Sequence, residues 1–220
     1  MIKAVLFDFD ETLQDRTAAF EKYMDTFLAD YRGDATDEVK QMCKRDMVQT
    51  GNGGYVNRVE WYTMLVEKWG WHDAPPATEL ADHYDYKFGD HNVIFPNTVK
   101  LLQTLKDRGY IVGVITNGPS HLQNHKMDTS GLRPYCDIVV VTGDVGFHKP
   151  DPQLFAYVAD KLGLETSQCV YVGDHPINDI KGALDSGMQA IRMNWGWFKD
   201  QDLRADVPVI DDIIDVLKYI

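Results

Sequence analysis

The sequence predicts an α/β fold: a parallel sheet with helices on both faces and a small helical domain inserted into it. Three observations predict it. Short apolar runs recur along the chain, and segments with apolar residues at helical spacing lie between them. Strands alternating with helices imply a parallel sheet covered on both faces. The alternation fails once, from about residue 15 to 90, where helical patterns follow one another with no convincing buried strand.

Residues 3–9, KAVLFDF, read as the first buried strand, a short apolar run cut off by acids. Four more runs follow: Tyr110 to Thr116, Asp137 to Val141, Gln168 to Val172 and Gln189 to Met193. Val99, Leu101, Leu102 and Leu105 mark a helix before the second run. Leu154, Phe155, Val158, Ala159 and Leu162 mark another before the fourth, which Gly163 is suited to end. The interrupting stretch has helical patterns at Ala18–Tyr31, Asp37–Thr50, Arg58–Trp69 and Thr78–Phe88, and many of the aromatic residues fall there. The expected organisation is a sheet-bearing core made of residues 1–14 and 91–220, with a helical insert at 15–90. Leu13–Arg16 and Gly89–Pro96 are the expected hinges. Trp61, Tyr62 and Trp69 are expected to pack inside the insert.

Bulk composition narrows the function. With 220 residues, 44% hydrophobic and 25% charged, the chain can bury a core without disulfides or structural metal. A formal charge of -12 sets most of the surface against nucleic-acid polymers and anionic membranes, so an anionic ligand must be drawn in by a local cation. Cys43, Cys136 and Cys169 are far apart and form no CxxC or Cys/His pattern, which fits reduced thiols in a cytoplasmic protein. No targeting segment and no membrane-length apolar run is visible. No feature specifies an oligomeric state.

Chemistry-bearing residues fall at the carboxyl ends of four predicted strands, where open parallel sheets bind ligands. Asp8 and Asp10 end the first. Residues two apart on an extended chain point the same way, so both carboxylates can face one site. They would repel unless a cation sits between them or one keeps a proton. One can attack phosphorus and the other can protonate a leaving oxygen. Thr116-Asn117-Gly118 ends the second strand and offers a hydroxyl and backbone amides to phosphoryl oxygens; it also reads as a routine strand-to-helix turn with Ser120 as helix cap. His148-Lys149-Pro150-Asp151-Pro152 supplies the cation an acidic protein needs, on a backbone stiffened by proline. Gly173-Asp174-His175-Pro176-Ile177-Asn178-Asp179 ends the fourth run. Asp8, the main-chain carbonyl of Asp10 and Asp174 make a plausible protein share of an octahedral Mg²⁺ site. Asp179 is placed to hold Lys149 or a metal-bound water, or to support a helix start.

In that order, DFDET, TNG, HKPDP and GDHPIND resemble the four motifs of the haloacid dehalogenase-like hydrolases, and the match spans Met1–Leu13 and about Asn92–Ile220. The resemblance implies a Rossmann-like sheet with a helical cap inserted after the first motif. It implies a nucleophile at Asp8 and a general acid/base at Asp10. It further implies a phosphate-binding hydroxyl at Thr116 with Asn117 beside it, a charge-neutralising Lys149, a Mg²⁺ ligand at Asp174 and an assisting Asp179. The activity implied is Mg²⁺-dependent hydrolysis of a small phosphorylated metabolite through an aspartyl-phosphate.

Three rivals share part of this pattern. A 2-haloacid dehalogenase needs no acid at the position of Asp10. A phosphosugar mutase shares the motifs, but its relatives more typically have Gly where this chain has Glu11; DxDET looks more like nucleotidase-type members. A non-catalytic phosphate-binding relative would be expected to lose Asp8, Asp10 or Lys149. Substrate choice is expected in the cap, where the glycine-rich loop Thr50–Tyr55 points to Asn52, Tyr55 and Arg58 as residues that recognise the leaving group. The same loop also reads as a flexible helix connector. Trp195-Gly196-Trp197 fits either the rim of the site or the sheet edge. Nucleoside monophosphate, phosphoglycolate and sugar phosphate are the substrate classes left open.

Overall fold

In the computed structural model, which describes residues 1–199, 201 and 206–220, the five apolar runs form strands β1 (Ala4–Phe7), β2 (Ile111–Thr116), β3 (Ile138–Val141), β4 (Cys169–Gly173) and β5 (Gln189–Met193). A sixth, β6 (Val209–Ile210), is too short to announce itself as an apolar run. The first four runs each start one residue later than expected, and Asp137 shows why a polar residue leaves the ladder. Its carboxylate accepts the N–H of Val112 at 2.8 Å and pairs with Lys106, so it ties two elements together from outside the strand.

All strands are parallel, in the order β3-β2-β1-β4-β5-β6. The first strand is therefore central: Ala4 is in register with Ile111 on one side and Cys169 on the other. Alternate residues point to opposite faces. Val5 and Phe7 join α5 (Thr98–Asp107) and the C-terminal Ile213 and Val216 in one core, while Ala4 and Leu6 join Phe155 and Val158 of α8 (Pro152–Lys161) in the other. Gly163, at φ 67, stands in the left-handed conformation just past α8, as its position in the sequence predicts.

Two compact units result: residues 1–17 with 92–220, and residues 18–91. The segments expected as hinges are hydrogen-bonded to each other. The N–H of Asp15 donates to the carbonyl of Val93 at 2.7 Å, that of Phe95 donates to Leu13 at 3.1 Å, and Gln14 bridges Ile94 antiparallel. The chain thus enters and leaves the insert through segments that are hydrogen-bonded to each other.

The second unit holds most of α1 (Arg16–Arg32), with α2 (Asp37–Thr50), α3 (Arg58–Lys68) and α4 (Ala77–Lys87). Thr36 and Asn57 cap α2 and α3 through their side chains. Its core is aromatic: Tyr23 meets Tyr84 edge-on at 4.9 Å, Tyr84 stacks on Phe88 at 4.8 Å, and Phe27 stacks on Tyr62 at 5.4 Å. Trp61 and Tyr62 are buried as expected, and the Trp61 indole donates to Thr50 Oγ1. Trp69 is only half-buried, because its indole N–H reaches out to Asp46 at 3.0 Å. No helix among the described residues is long and apolar enough to cross a membrane.

Back in the first unit, α6 (Ser120–Thr129) follows β2, and α7 (Thr142–Val145) follows β3. Pro119 precedes α6 without a side-chain cap, so Ser120 is its first helical residue rather than its cap. Gly143 of α7 donates to the carbonyl of Gly118, and a Cβ on Gly143 would lie 2.6 Å from the nitrogen of Ser120. Backbone meets backbone here, so nothing can yield cheaply. Gly143→Ala is expected to cost about 1–3 kcal/mol, read as a lower urea midpoint at unchanged slope.

Candidate active site

Asp8 leaves β1 with its N–H bonded to the carbonyl of Val172 on β4, which holds it over the centre of the sheet. Lys149 arrives from beyond α7, after which its peptide to Pro150 is cis. Its buried Nζ lies 2.8 Å from Asp8 Oδ1 and 2.7 Å from Asp179 Oδ1, and donates to the hydroxyl of Tyr171 at 3.0 Å. Tyr171 in turn donates to the carbonyl of Ile115 on β2. The ammonium is thus anchored to β4, to β2 and to the segment after β4. Asn117 grips the Lys149 backbone from both sides, accepting its N–H at 2.9 Å and donating to its carbonyl at 3.1 Å. The Asn117 side chain, expected beside Thr116 on the substrate, is instead spent on positioning Lys149.

After β4 comes a π-helical turn, Pro176–Lys181, which continues into α9 (Gly182–Asp185). The His175 Nδ1 caps this turn by accepting from Ile177 and Asn178. Asp179 is wholly buried, and its second oxygen accepts the N–H of His175 at 2.9 Å. A Cβ at Gly173 would come within 2.5 Å of the Asp179 carboxylate, so the glycine of the fourth motif makes room for its last acid. Oxygens of Asp8, Asp174 and Asp179 lie within 4.8 Å of one another, all three residues being buried.

Asp10 does not share Asp8's cation. Its carboxylate is held by Lys126 Nζ at 2.6 and 2.5 Å, by Gln14 at 2.6 Å and by Gln123 at 3.2 Å. Gln123 also donates to Thr116 Oγ1. None of Lys126, Gln123, Gln14 or Tyr171 is evident from the motifs. The available signal is in α6 itself, SHLQNHKMDT, where Leu122 and Met127 are the only large apolar residues of a helix following a central strand. Such a helix must bury polar side chains, and it buries Gln123 and Lys126.

Burial pushes the Asp8 carboxyl up to about 7 against the pull of Lys149, and holds Asp174 well above the usual range with help from Asp179 and Asp8. Burial alone would lower Lys149, but Asp179 and Asp8 override it and raise the ammonium well above its ordinary value. Burial would likewise raise Asp10, yet Lys126 and Arg16 bring it down to about 2. Glu11, in left-handed backbone at φ 57, is raised to about 7 by burial despite accepting from Thr17. Were all three buried carboxylates ionised, the one ammonium among them would leave two negative charges unbalanced among hard oxygen donors, and the raised Asp8 and Asp174 carboxyls express that imbalance. That composition fits a divalent, oxygen-seeking ion such as Mg²⁺.

The remaining expected residues lie in the second unit. Asn52, Gly53 and Gly54 take successive left-handed conformations, φ 44, 60 and 93, and Tyr55 is exposed. Arg58 faces inward: its guanidinium pairs with Asp85 at 3.1 Å and lies 4.1 Å over the Tyr84 ring. In the first unit, Trp195 meets Phe95 edge-on. Gly196 packs so closely on Glu11 that a Cβ would stand 2.9 Å from it, which sets the Trp195–Trp197 loop against the first motif.

A family model described as haloacid dehalogenase-like hydrolase matches residues 2–187. The glyceraldehyde 3-phosphate phosphatase of Methanothermobacter thermautotrophicus is 32% identical, covering 97% of each chain. The enzyme of the same name from Methanopyrus kandleri is 29% identical over 98% of this chain and 94% of its own. Among solved structures, the HAD-hydrolase YfnB of Bacillus subtilis, crystallised bound to magnesium, superposes with a TM-score of 0.76 over 99% of this chain and 98% of its own, at 22% identity.

The same carboxylates would make magnesium binding depend on pH. An acid with a raised folded pKa stabilises the fold below its unfolded value, about 4, and that stability is lost as pH rises to the folded value. For Asp8 and Glu11, this window runs up to about 7. Magnesium needs the deprotonated forms. The gain in Tm on adding Mg²⁺ over EDTA is therefore expected to grow from pH 5 to about 7 and then level off, and Asp174→Asn is expected to remove it. Thermal melts across that range check both.

Proposed function

The chain belongs to the haloacid dehalogenase-like hydrolases, and on that premise we propose that it is a Mg²⁺-dependent phosphatase that hydrolyses a small phosphorylated metabolite through an aspartyl-phosphate on Asp8. The observation that carries this reading is the pairing of each acid in the first motif with its own buried ammonium: Asp8 with Lys149, and Asp10 with Lys126. Two carboxylates two residues apart are thereby held by separate partners, so that Asp8 can serve in attack and Asp10 in acid/base work without competing for one cation.

In the reaction, an Asp8 carboxylate oxygen forms a bond to phosphorus as the ester P–O bond breaks, and Asp10 gives a proton to the departing alkoxide. Lys149 keeps Asp8 oriented and offsets charge on the phosphoryl oxygens, which the Thr116 hydroxyl also meets. Asp10 then takes a proton from the water that attacks phosphorus, the Asp8 Oδ–P bond breaks, and inorganic phosphate leaves with Asp8 restored as a carboxylate. Asp8, the main-chain carbonyl of Asp10 and Asp174 would hold Mg²⁺, with Asp179 behind them, and the bound ion would add positive charge for the phosphoryl oxygens. A dehalogenase has no leaving oxygen to protonate, so an acid held as carefully as Asp10 supports phosphate chemistry.

Residues 15–90 serve as the cap, and the Asn52–Tyr55 loop is its selective element. Arg58, tied to Asp85 and Tyr84, shapes the cap rather than touching substrate. The near full-length similarity to enzymes named glyceraldehyde 3-phosphate phosphatase adds that ester to the candidates. The free cysteines, two of them buried, support a cytoplasmic location.

Phosphate release from an aryl phosphate is expected with Mg²⁺, to stop with EDTA, and to fall by several orders of magnitude in Asp8→Asn. Absence of release from any ester in a folded, metal-loaded protein would overturn the reading, and transfer between sugar positions without release would replace it with a mutase. A panel of glyceraldehyde 3-phosphate, phosphoglycolate, sugar phosphates and nucleoside monophosphates ranks the substrates. Asn52→Ala and Tyr55→Ala are expected to reorder that ranking, whereas Arg58→Ala is expected to lower Tm. An unchanged ranking in both loop variants would remove the loop from substrate selection.

A further inference from the structure

We propose that Gln123 and Lys126, one helical turn apart on α6, are positioning residues that fix the Thr116 hydroxyl as a hydrogen-bond donor to the phosphoryl group. The inference rests on the phosphatase reading of the site and adds to it a polarity relay of three side chains.

The relay starts at Lys126, which is 1% exposed. An ammonium can only donate. Its contacts include both oxygens of Asp10, at 2.6 and 2.5 Å, and Gln123 Oε1 at 2.8 Å, with its charge 5.3 Å from the centre of the Phe9 ring. Because the partner of Lys126 must be an acceptor, the Gln123 amide has one allowed orientation: oxygen to Lys126, nitrogen away. That places the Gln123 NH₂ group on Thr116 Oγ1 and on Asp10 Oδ2. A hydroxyl that accepts from an amide N–H must send its own proton elsewhere. Thr116 donates to no acceptor among the described residues, so that proton is left for an incoming anion.

The second motif is shaped around this arrangement. Gly118 sits at φ 147, and a Cβ there would come within 2.8 Å of Gln123 Cγ. The glycine of Thr116-Asn117-Gly118 therefore serves as the opening through which Gln123 reaches Thr116. Asp10 Oδ2, also an acceptor, holds the same orientation from the other end. Without Lys126, only that bond keeps the amide from turning its carbonyl to Thr116, capturing the hydroxyl proton and withdrawing the donor from the phosphate.

The test is a double-mutant cycle on the magnesium-loaded protein, read as the dissociation constant of inorganic phosphate by calorimetry. A hydrogen bond to a charged group corresponds to roughly a 10- to 100-fold effect. Gln123→Met and Thr116→Val are each expected to weaken phosphate by about that factor. In the Thr116→Val background, Gln123→Met is expected to add less than about threefold, because both changes remove one function. Lys126→Met is expected to behave like Gln123→Met; should it fail to fold, Gln123→Met, which leaves the Lys126–Asp10 pair in place, carries the test. Effects that multiply independently, or a fall in Tm with phosphate affinity unchanged, would overturn the proposal by reducing Gln123 to a packing residue. Turnover by the wild type with multiplying effects sinks this inference alone. Absence of turnover with a coupled cycle sinks the phosphatase reading alone, and absence of phosphate binding sinks both.

Discussion

The site depends on one buried ammonium, that of Lys149. Taking a charge out of water is costly unless it is paired and hydrogen-bonded. Here Asp8, Asp179 and Tyr171 meet that demand from three points of the chain. The demand works both ways. Asp179 needs the glycine at 173 to fit, Tyr171 needs the carbonyl of Ile115, and the Lys149 backbone needs the Asn117 amide. Removing any one leaves another buried polar group unpartnered. Residues that look like four separate motifs along the chain are the parts of one charge-balancing network at the ends of parallel strands.

A second buried ammonium divides the labour. Had Asp8 and Asp10 shared Lys149, both would have felt the same field. Instead, Asp10 is drawn down to about 2 by Lys126, while Asp8 is left near 7. With the protein's own groups alone, this order opposes the proposed roles, which need Asp8 ionised and Asp10 protonated; a divalent ion on Asp8 would lower its carboxyl, and a phosphoryl group beside Asp10 would raise that one. The chain makes the separate pairing possible by leaving the sheet: β1 ends at Phe7 and the backbone bends at Phe9, so that α6 reaches Asp10 while the segment after α7 reaches Asp8.

Much of this was legible in the sequence, and what was missed has a common cause. The central strands show as apolar runs because both faces of a parallel sheet are buried, and the helical pattern at Asp37–Thr50 matches α2, which Thr36 caps. Asp8, Lys149, Asp174 and Asp179 stood out because acids and a lysine beside prolines are conspicuous at strand ends. Gln123 and Lys126 did not, because a polar residue on a helix reads as a solvent face unless its partner is known, and the partner of Lys126 is 116 residues away. Asn117 stood in the right motif, but its partner is the main chain of Lys149, which no side-chain pattern reveals. β6 was invisible at two residues.

The bridge between Gln14 and Ile94 bears on how such a chain can change over evolutionary time. Because the two ends of the inserted segment are stitched to each other within the sheet unit, everything between them resembles an exchangeable cassette. Its length, helix count and surface can be exchanged while the reaction centre keeps its register. An ancestral chain could replace that cassette while the strand-end residues stayed as they were.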